Sequence, residues 1–351
     1  MTRFLNSRAI IATSHSRIVA PHAAGTTRKA FTLVELLVVI TIIGILVGMA
    51  LPAISMVREN ANRTTCSNNM RQVALGINNY VSVKQRFPFY HDYMGKRVNS
   101  NNVSTPWTIA IADKIERSDV YNAWNDPPQA LPSLSVLTCA SDEFDASMPN
   151  LSFVVNAGRP DNPDGASEPG DHPENGVFVA RTAGNQRPRF NSQSTIKDGL
   201  SNTLMLTENL QAMFYCFPIN PANPAGPPAD ETLAERFNTF VWAVPNGDPV
   251  SSPPDQEFLN PNASEGVLRI NGGGSLHPNN ETNTNIAFAR PSSQHSGGVN
   301  AAFCDASIKF LSQEMAYHVY QQLMTADGRS PRCEVPLPNK NYVLSGQDYG
   351  Q

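Results

Sequence analysis

The chain has 351 residues, enough for one large domain or two small ones. Hydrophobic residues make up 40% of it and charged residues only 16%, while proline (28 residues) and glycine (22 residues) are plentiful, which favours a loop-rich β protein over a helical enzyme. The formal net charge is −4 and the sequence has no long run of like charge, so nothing suggests nucleic acid as a partner.

The N-terminal region divides into a polar leader and an apolar segment. Residues 1–30 are polar with scattered arginine and predict a leader that is cleaved from the mature protein. Residues 31–52 are apolar apart from Glu35, and about twenty such residues let a helix cross the hydrocarbon core of a bilayer. Because Arg28 and Lys29 precede this segment, the positive-inside rule places its start in the cytoplasm and predicts that the rest of the chain is exported.

Glu35 is the residue that a plain membrane anchor does not need. A carboxylate inside a spanning segment costs about 2.5–3.5 kcal/mol on insertion scales, and such groups usually have a partner. Cleavage between Ala30 and Phe31 would create an amine at the membrane face. Glu35 of one subunit could then pair with the Phe31 amine of a neighbour, which would offset the cost of burying the charge and set the stagger between subunits.

The sequence from Lys29 to Ile40 resembles the cleavage and methylation signal of type IV prepilins and type II secretion pseudopilins. This resemblance implies that a prepilin peptidase cuts after Ala30 and methylates Phe31, with Glu35 as the assembly residue. Ala30 stands where glycine is usual, and the leader is long for this class. A secretory signal or an uncleaved anchor are the alternatives, but a secretory apolar region is shorter and no A-x-A site closes this one.

The helix is expected to continue beyond the membrane segment as an amphipathic helix over residues 53–86. Apolar residues recur there at steps of three and four, which indicates a face that packs on the globular domain. This face comprises Ile54, Val57, Met70, Val73, Ile77 and Tyr80.

Residues 87–325 predict an exported globular domain of the α+β class, with a mainly antiparallel sheet. Trp107 and Trp124 are expected in its core, and an Asp305–Ala306 turn joins the last two strands. A short helix is expected over 313–324, and a poorly ordered, proline-rich tail over 326–351. The predicted strands are 134–139, 152–156, 176–179, 203–207, 237–244, 285–289, 299–304 and 308–311.

The chain contains five cysteines and no C-x-x-C pair, which argues against a zinc ribbon or a thioredoxin motif. Disulfides persist in exported domains. We favour a Cys66–Cys139 disulfide, while the odd count leaves at least one thiol unpaired. Cys304 lies in an apolar strand and is expected to be a buried thiol.

No catalytic, metal or cofactor motif is recognisable in the sequence. His295 and Asp305 are the one suggestive pair, open to interpretation as a catalytic couple, a metal pair or a structural clasp, and we favour the clasp. The polar loop 161–176 lacks the ligand spacing of an EF-hand and is interpreted as a solvated loop. The sequence therefore predicts no enzyme and no metal.

A second resemblance extends over most of the chain. His295 followed by nine residues and Asp305-Ala306 is similar to the H-x9-D-G signature that closes a large family of pilin-like envelope proteins without an assigned activity. Further matches begin at Cys66, Phe87, Thr138 and Asp198. Ala306 replaces the glycine of the signature, and because alanine tolerates positive φ poorly we expect the 305–306 turn not to be type I′. Since pseudopilins use a calcium-bound loop, the resemblance keeps calcium open for 161–176.

These observations favour a structural function. We expect a pseudopilin-like subunit that spans the bacterial inner membrane once, exports its C-terminal domain and joins other pilin-like subunits in a type II secretion or type IV pilus-like assembly. The alternative is a stalked envelope module that binds a glycan or a protein and forms no filament. An envelope hydrolase built on His295 and Asp305 is the third hypothesis.

Overall fold

The computed structural model describes residues 32–98, 101–125, 131–143, 148–158, 172–181, 189–212, 214–216, 238–241, 270–271, 290–330, 332–333 and 344. For residues 93–98, 101–104 and 125 it describes the backbone alone. The expected strand at 285–289 lies outside these residues, as do most of the 161–176 loop and most of the tail.

The chain forms two compact units, residues 1–54 and residues 55–351. In the first unit the described residues form the beginning of helix α1, which runs from Leu33 to Lys84. By length and composition α1 is able to cross a membrane, and its apolar stretch is not buried against the rest of the protein. Exposed apolar side chains cover the first unit from Leu33 to Ile54.

In the second unit α1 supplies one buried face to the core. The buried residues of this face are Cys66, Met70, Val73, Ala74, Gly76, Ile77, Tyr80 and Val81. The amphipathic stripe expected from the sequence is therefore correct from Met70 onward. It is wrong at Ile54 and Val57, which are both more than 60% exposed, because the apolar face of α1 becomes buried only from Cys66.

The helices and strands after α1 follow in a mixed order. The strands are β1 (His91–Val98), β2 (Asn101–Pro106), β3 (Phe153–Gly158), β4 (Ala180–Arg181), β5 (Leu204–Glu208), β6 (Thr239–Val241), β7 (Gly298–Phe303) and β8 (Ile308–Ser312). The helices are α2 (Trp107–Ala110), α3 (Ser118–Asn125) and α4 (Tyr317–Met324), with 3₁₀ turns at Ala112–Ile115, Ser135–Leu137 and Gln193–Thr195. This is the expected α+β arrangement.

Two sheets carry the described strands. The larger has the order β6-β3-β5-β7-β8, with β3 antiparallel to β5, β5 to β7 and β7 to β8, and with β6 parallel to β3. The smaller has the order β2-β1-β4, in which β1 and β2 form an antiparallel pair and β4 runs parallel to β1. Trp107 and Trp124 are buried, as expected for core aromatics.

Residues 134–139 were expected to be a strand, and this prediction is wrong. They form the 3₁₀ turn Ser135–Leu137. The carbonyls of Ser135 and Thr138 accept hydrogen bonds from the Asn69 side chain on α1 instead of from a neighbouring strand. The Asn69 amide thus replaces the hydrogen bonds from a neighbouring strand that the alternating sequence pattern of this segment predicts.

The strand expected at 176–179 is displaced to Ala180–Arg181. The buried Asn191 side chain donates to the carbonyl of Gly176 at 2.9 Å and to that of Val177 at 3.3 Å. The carbonyl of Asn156 accepts from the amides of Val177 and Phe178. With its backbone groups satisfied in this way, the segment pairs as a strand only beyond residue 179.

The hairpin at residues 298–312 has the strands that the sequence predicts but a different turn conformation at Ala306. Ala306 N–H donates to the carbonyl of Phe303, and Phe303 N–H donates to the carbonyl of Ser307. Ala306 lies in the left-handed region with φ 64°, whereas Asp305 does not. The turn is therefore not type I′, as expected, but Ala306 does adopt the positive φ that alanine tolerates poorly, in a loop with the features of a type I turn followed by a left-handed residue.

Candidate functional site

His295 lies in the loop that leads into β7 and is almost completely buried. Its backbone N–H donates to Ser293 Oγ at 3.1 Å, and Ser293 Oγ in turn donates to the carbonyl of Gly298 at 2.7 Å. The neighbouring Ser292 N–H donates to the carbonyl of Glu208, the last residue of β5. These bonds hold the imidazole between α1 and the large sheet.

Both ring nitrogens of His295 face carboxylates. Nδ1 lies 2.5 Å from Glu59 Oε1 of α1, and Nε2 lies 3.2 Å from Glu208 Oε1 of β5. Because both partners are acceptors, an imidazolium that donates from both nitrogens satisfies the arrangement. Burial alone would lower the pKa of His295, but the hydrogen bonds and charges of Glu208 and Glu59 outweigh burial and raise it.

Glu208 is buried and is held by β7. The backbone N–H of Asn300 donates to Glu208 Oε2 at 2.8 Å, and the Asn300 side chain donates to Oε1 at 2.8 Å. A buried carboxylate needs such donors because burial without them would cost far more than a hydrogen bond returns. Glu208 is thus held on the central strand of the sheet.

Cys66 and Cys139 form a disulfide between α1 and the segment after the 3₁₀ turn. This is the pair that the sequence analysis favoured. Cys139 Sγ lies 3.4 Å from His295 Nε2, and the backbone N–H of Ala140 donates to Cys66 Sγ at 3.0 Å. Cys304 is a buried thiol, as its apolar strand predicted, and Cys216 and Cys333 are buried as well.

Asp142 extends the polar cluster on the side of the disulfide. Ser152 Oγ donates to Asp142 Oδ2 at 2.6 Å and accepts from the backbone N–H of Cys139 at 2.8 Å. Burial raises the pKa of Asp142, and the negative charge of Glu208 raises it further. The hydrogen bond from Ser152 and the charge of His295 act in the opposite direction, and the resulting pKa is about 7. This carboxyl therefore binds its proton much more tightly than an ordinary aspartate does.

Four potential metal-ligating atoms meet in this cluster. One atom each of Cys66, Cys139, Glu208 and His295 lies within 4.8 Å of the others, and all four residues are buried. We call these four residues the Cys–His–Glu cluster. In the disulfide-bonded form the two sulfurs are not thiolates, and the thiolate is the form of cysteine that binds metals.

The clasp expected between His295 and Asp305 is wrong. Strand β7 lies between them and its six residues span about 20 Å, so the two side chains lie toward opposite ends of the strand. Asp305 Oδ1 accepts from the backbone N–H and the hydroxyl of Ser307 within the hairpin turn. Asp305 therefore has a local role, and the partners of His295 come from Glu59 and Glu208.

Sequence reasoning missed Glu59, Asp142 and Glu208 because these residues are far apart in the chain and follow no ligand spacing. One signal for Glu208 was available. It ends the apolar run Leu204–Met205–Leu206–Thr207, and a carboxylate at the end of a buried strand needs donors inside the protein.

Within the first unit, the expected processing residues Ala30 and Phe31 lie outside the described residues, while Glu35 lies in the first turn of α1. Glu35 Oε2 accepts from the backbone N–H and the hydroxyl of Thr32, each at 2.9 Å, and Glu35 N–H donates to Thr32 Oγ1 at 3.3 Å. This reciprocal arrangement is a capping box. Glu35 thus stabilises the start of α1 in addition to any bond with a neighbouring subunit.

Comparison with known proteins gives two matches to family models. Residues 26–51 match the prokaryotic N-terminal methylation motif. Residues 55–317, about three quarters of the chain, match a family described as a protein of unknown function, DUF1559. No curated protein and no solved structure matches the chain.

The methylation motif contains the predicted cleavage site between Ala30 and Phe31 and the start of the exposed apolar part of α1. Together they indicate a prepilin-like, membrane-anchored subunit that a prepilin peptidase processes. The match over residues 55–317 covers the described strands of both sheets and the Cys–His–Glu cluster. The chain therefore belongs to the DUF1559 family of proteins of unknown function and carries the prokaryotic N-terminal methylation motif at its N-terminus.

Proposed function

We propose that this protein is a pseudopilin-like structural subunit of a type II secretion or type IV pilus-like assembly. α1 spans the inner membrane once, and the globular domain lies on the exported side. The subunit has no enzymatic activity and no resident calcium in this proposal. The observation that supports it most directly is the continuous exposed apolar surface of Leu33–Ile54 next to a matched methylation motif.

The exposed apolar surface is suited both to lipid and to the helices of other subunits. Its side chains surround the helix rather than forming one stripe, as expected for a helix whose whole circumference contacts apolar material. After cleavage, the Phe31 amine would lie next to the Thr32–Glu35 capping box. Both bonds from Thr32 use Oε2 of Glu35, so Oε1 could accept a hydrogen bond from a neighbouring amine.

A structural role also fits the surroundings of His295. An imidazole that acts as a general base must reach a substrate proton, whereas both nitrogens of His295 are engaged by carboxylates and its side chain is buried. Asp305, the other member of the suggested catalytic pair, bonds within its own turn.

The capping box allows a sharp test of assembly. Two differently tagged full-length copies are co-expressed in the native host and co-purified in mild detergent, as wild type, Glu35→Gln or Glu35→Ala. Glutamine keeps a capping group but removes the charge, whereas alanine removes both. Loss of co-purification in both variants is the expected result, with Glu314→Gln, an exposed change in the globular domain, as the matched control.

Two results would contradict the pairing. If Glu35→Gln assembles as well as wild type while Glu35→Ala does not, Glu35 acts only as a helix cap. If both variants assemble normally, Glu35 has no role in assembly. N-terminal peptide mass spectrometry of the same material should find N-methyl-Phe31 at the start of the chain, and an intact leader would instead favour a stalked anchor that binds a glycan or protein.

A further inference from the structure

The Cys–His–Glu cluster combines ligand types that suit one class of metal. Thiolate sulfur and imidazole nitrogen together favour zinc over the hard cations calcium and magnesium. Zinc is usually held by four ligands in a tetrahedron, and a carboxylate oxygen is an accepted fourth ligand. The cluster offers two sulfurs, one nitrogen and one oxygen, each from a different segment of the fold.

Two of the distances between ligand atoms are close to the edges of such a tetrahedron. With zinc–ligand distances of about 2.0–2.3 Å, a sulfur–nitrogen edge is about 3.6 Å and a nitrogen–oxygen edge about 3.4 Å. Cys139 Sγ and His295 Nε2 are 3.4 Å apart, and His295 Nε2 and Glu208 Oε1 are 3.2 Å apart. One sulfur–nitrogen edge and one nitrogen–oxygen edge are therefore close to the required size, whereas the two sulfurs are bonded to each other and must separate on reduction.

The surrounding hydrogen bonds are those that zinc ligands usually have. A metal-binding imidazole commonly donates its other nitrogen to a carboxylate, which orients the ring and raises its basicity. His295 Nδ1 faces Glu59 Oε1 in this way, while Nε2 faces Cys139 Sγ and Glu208 Oε1. Glu208 is oriented by Asn300, and Cys66 Sγ already accepts from the Ala140 backbone N–H.

We propose that the reduced form of the protein binds one Zn²⁺ ion through Cys66 Sγ, Cys139 Sγ, His295 Nε2 and Glu208 Oε1. The disulfide and the zinc complex are then two mutually exclusive states of one site, because each uses both sulfurs. The chain is synthesised with free thiols, so zinc binding and oxidation compete for the pair during maturation. The zinc state does not depend on filament assembly.

Conversion of the disulfide-bonded form to the zinc-binding form begins with reduction by an external dithiol. The two thiols of the reductant become a disulfide, the Cys66–Cys139 bond breaks, and each of these two sulfurs gains a hydrogen atom. Zn²⁺ then displaces the two thiol protons and the Nε2 proton of the His295 imidazolium. Zinc uptake is therefore accompanied by proton release and weakens as the pH falls.

Cobalt substitution in the purified full-length protein tests the site. The disulfide is reduced with a phosphine, the phosphine is removed without oxygen, and Co²⁺ is titrated into the reduced and oxidised forms. We expect the reduced form to take up one equivalent with thiolate-to-cobalt charge-transfer bands and intense tetrahedral bands, which Zn²⁺ then abolishes. The oxidised form should show neither.

Variants assign the bands to the cluster. Cys66→Ser and Cys139→Ser should abolish the charge-transfer bands, whereas Cys304→Ala, which removes a buried thiol outside the cluster, should retain them. Glu59→Gln leaves all four ligands in place and alters a half-buried side chain, so it should fold and lower zinc affinity about 10–100-fold. Glu314→Gln is its matched exposed control.

Three results would overturn the proposal. The first is a reduced, folded protein that takes up no more Co²⁺ than the oxidised form. The second is a cobalt spectrum of octahedral type that Cys66→Ser leaves unchanged. The third is zinc affinity that is equal in wild type and Glu59→Gln, since His295 would then not be a ligand oriented by Glu59.

Discussion

Ala306 stores conformational strain at a single residue. It adopts φ 64° in the turn between β7 and β8, a region that costs a residue with a Cβ about 1–2 kcal/mol. Glycine would avoid this cost, although it loses more conformational entropy on folding. The substitution of alanine for the glycine of the H-x9-D-G signature is thus unfavourable for the turn.

Ala306→Gly should therefore stabilise the protein by about 0.5–1 kcal/mol. The free energy of unfolding in urea measures this effect. Ala302→Gly, the same replacement within β7, is the control and should destabilise the protein because that residue lies in a buried strand. An unchanged or lower stability of Ala306→Gly would show that the turn adapts to alanine without strain.

Asp142 gives the disulfide-bonded protein a dependence of stability on pH. Because burial raises the pKa of Asp142 to about 7, the folded state binds this proton more tightly than the unfolded state does. Its stabilising contribution is complete below the ordinary carboxyl pKa and is lost as the pH rises through about 7. His295 acts in the same direction: burial lowers its pKa, but the hydrogen bonds and charges of Glu208 and Glu59 outweigh burial and raise it.

Asp142→Asn should accordingly be more stable than wild type at pH 8, by on the order of a few kcal/mol, and this advantage should shrink toward pH 4. Urea unfolding of the oxidised protein at several pH values measures the difference. His91, whose pKa burial lowers to about 4, opposes the trend below its usual pKa, but it is common to both proteins. Glu143→Gln, an exposed neighbour, should leave the pH profile of wild type unchanged.

Helix α1 is attached to the sheet domain by more than apolar packing. Asn78 donates to the carbonyl of Cys304, and the Arg63 guanidinium lies 3.4 Å from the centre of the Phe310 ring. Glu59 reaches His295, and Cys66 is bonded covalently to Cys139. The disulfide closes a loop with a sequence separation of 73 residues, which restricts the unfolded chain considerably.

Removing the disulfide should destabilise the domain by about 4 kcal/mol on the chain-entropy model. The comparison is between the oxidised protein and the Cys66→Ala/Cys139→Ala double variant, both unfolded in urea with a chelator present so that no zinc can bind. Cys304→Ala with the disulfide intact controls for the loss of a buried cysteine. A double variant as stable as wild type would mean that packing alone holds α1 on the domain.

At the scale of the whole molecule, apolar exposure is concentrated in the first unit. Exposed aliphatic side chains run from Leu33 to Ile54, while the described residues of the second unit contain a large buried core. The first unit ends at Ile54, next to the start of the DUF1559 match at residue 55. The boundary between the two structural units therefore coincides with the start of the family match.

A chain that begins at Ser55 should consequently be soluble without detergent and unfold with the same urea midpoint as the domain in the full-length protein. Size-exclusion chromatography and urea unfolding followed by circular dichroism measure the two properties. Aggregation of the shortened chain, or a clearly lower midpoint, would show that residues before 55 contribute to the folding of the domain.

Features that depend on neighbouring residues could be predicted from the amino-acid sequence alone. The apolar run, its basic flank and Glu35 predicted the membrane helix and the methylation motif, and the alternating residues of 299–304 and 308–311 predicted the β7–β8 hairpin. The helical period from Met70 to Tyr80 likewise predicted the buried face of α1. In each case the pattern that carries the prediction extends over only a few helical turns or a few residues of a strand.

Contacts between side chains that are distant in the chain could not be predicted in this way, because they depend on long-range packing. Glu59, Glu208 and His295 are brought together by the packing of α1 on the sheet, and no spacing rule connects them. The side-chain amides of Asn69 and Asn191 donate to backbone carbonyls of two segments that the sequence predicted to be strands. These amides replace the hydrogen bonds that a neighbouring strand would have made. The buried cluster is thus a product of long-range packing, whereas the membrane helix follows from the local sequence.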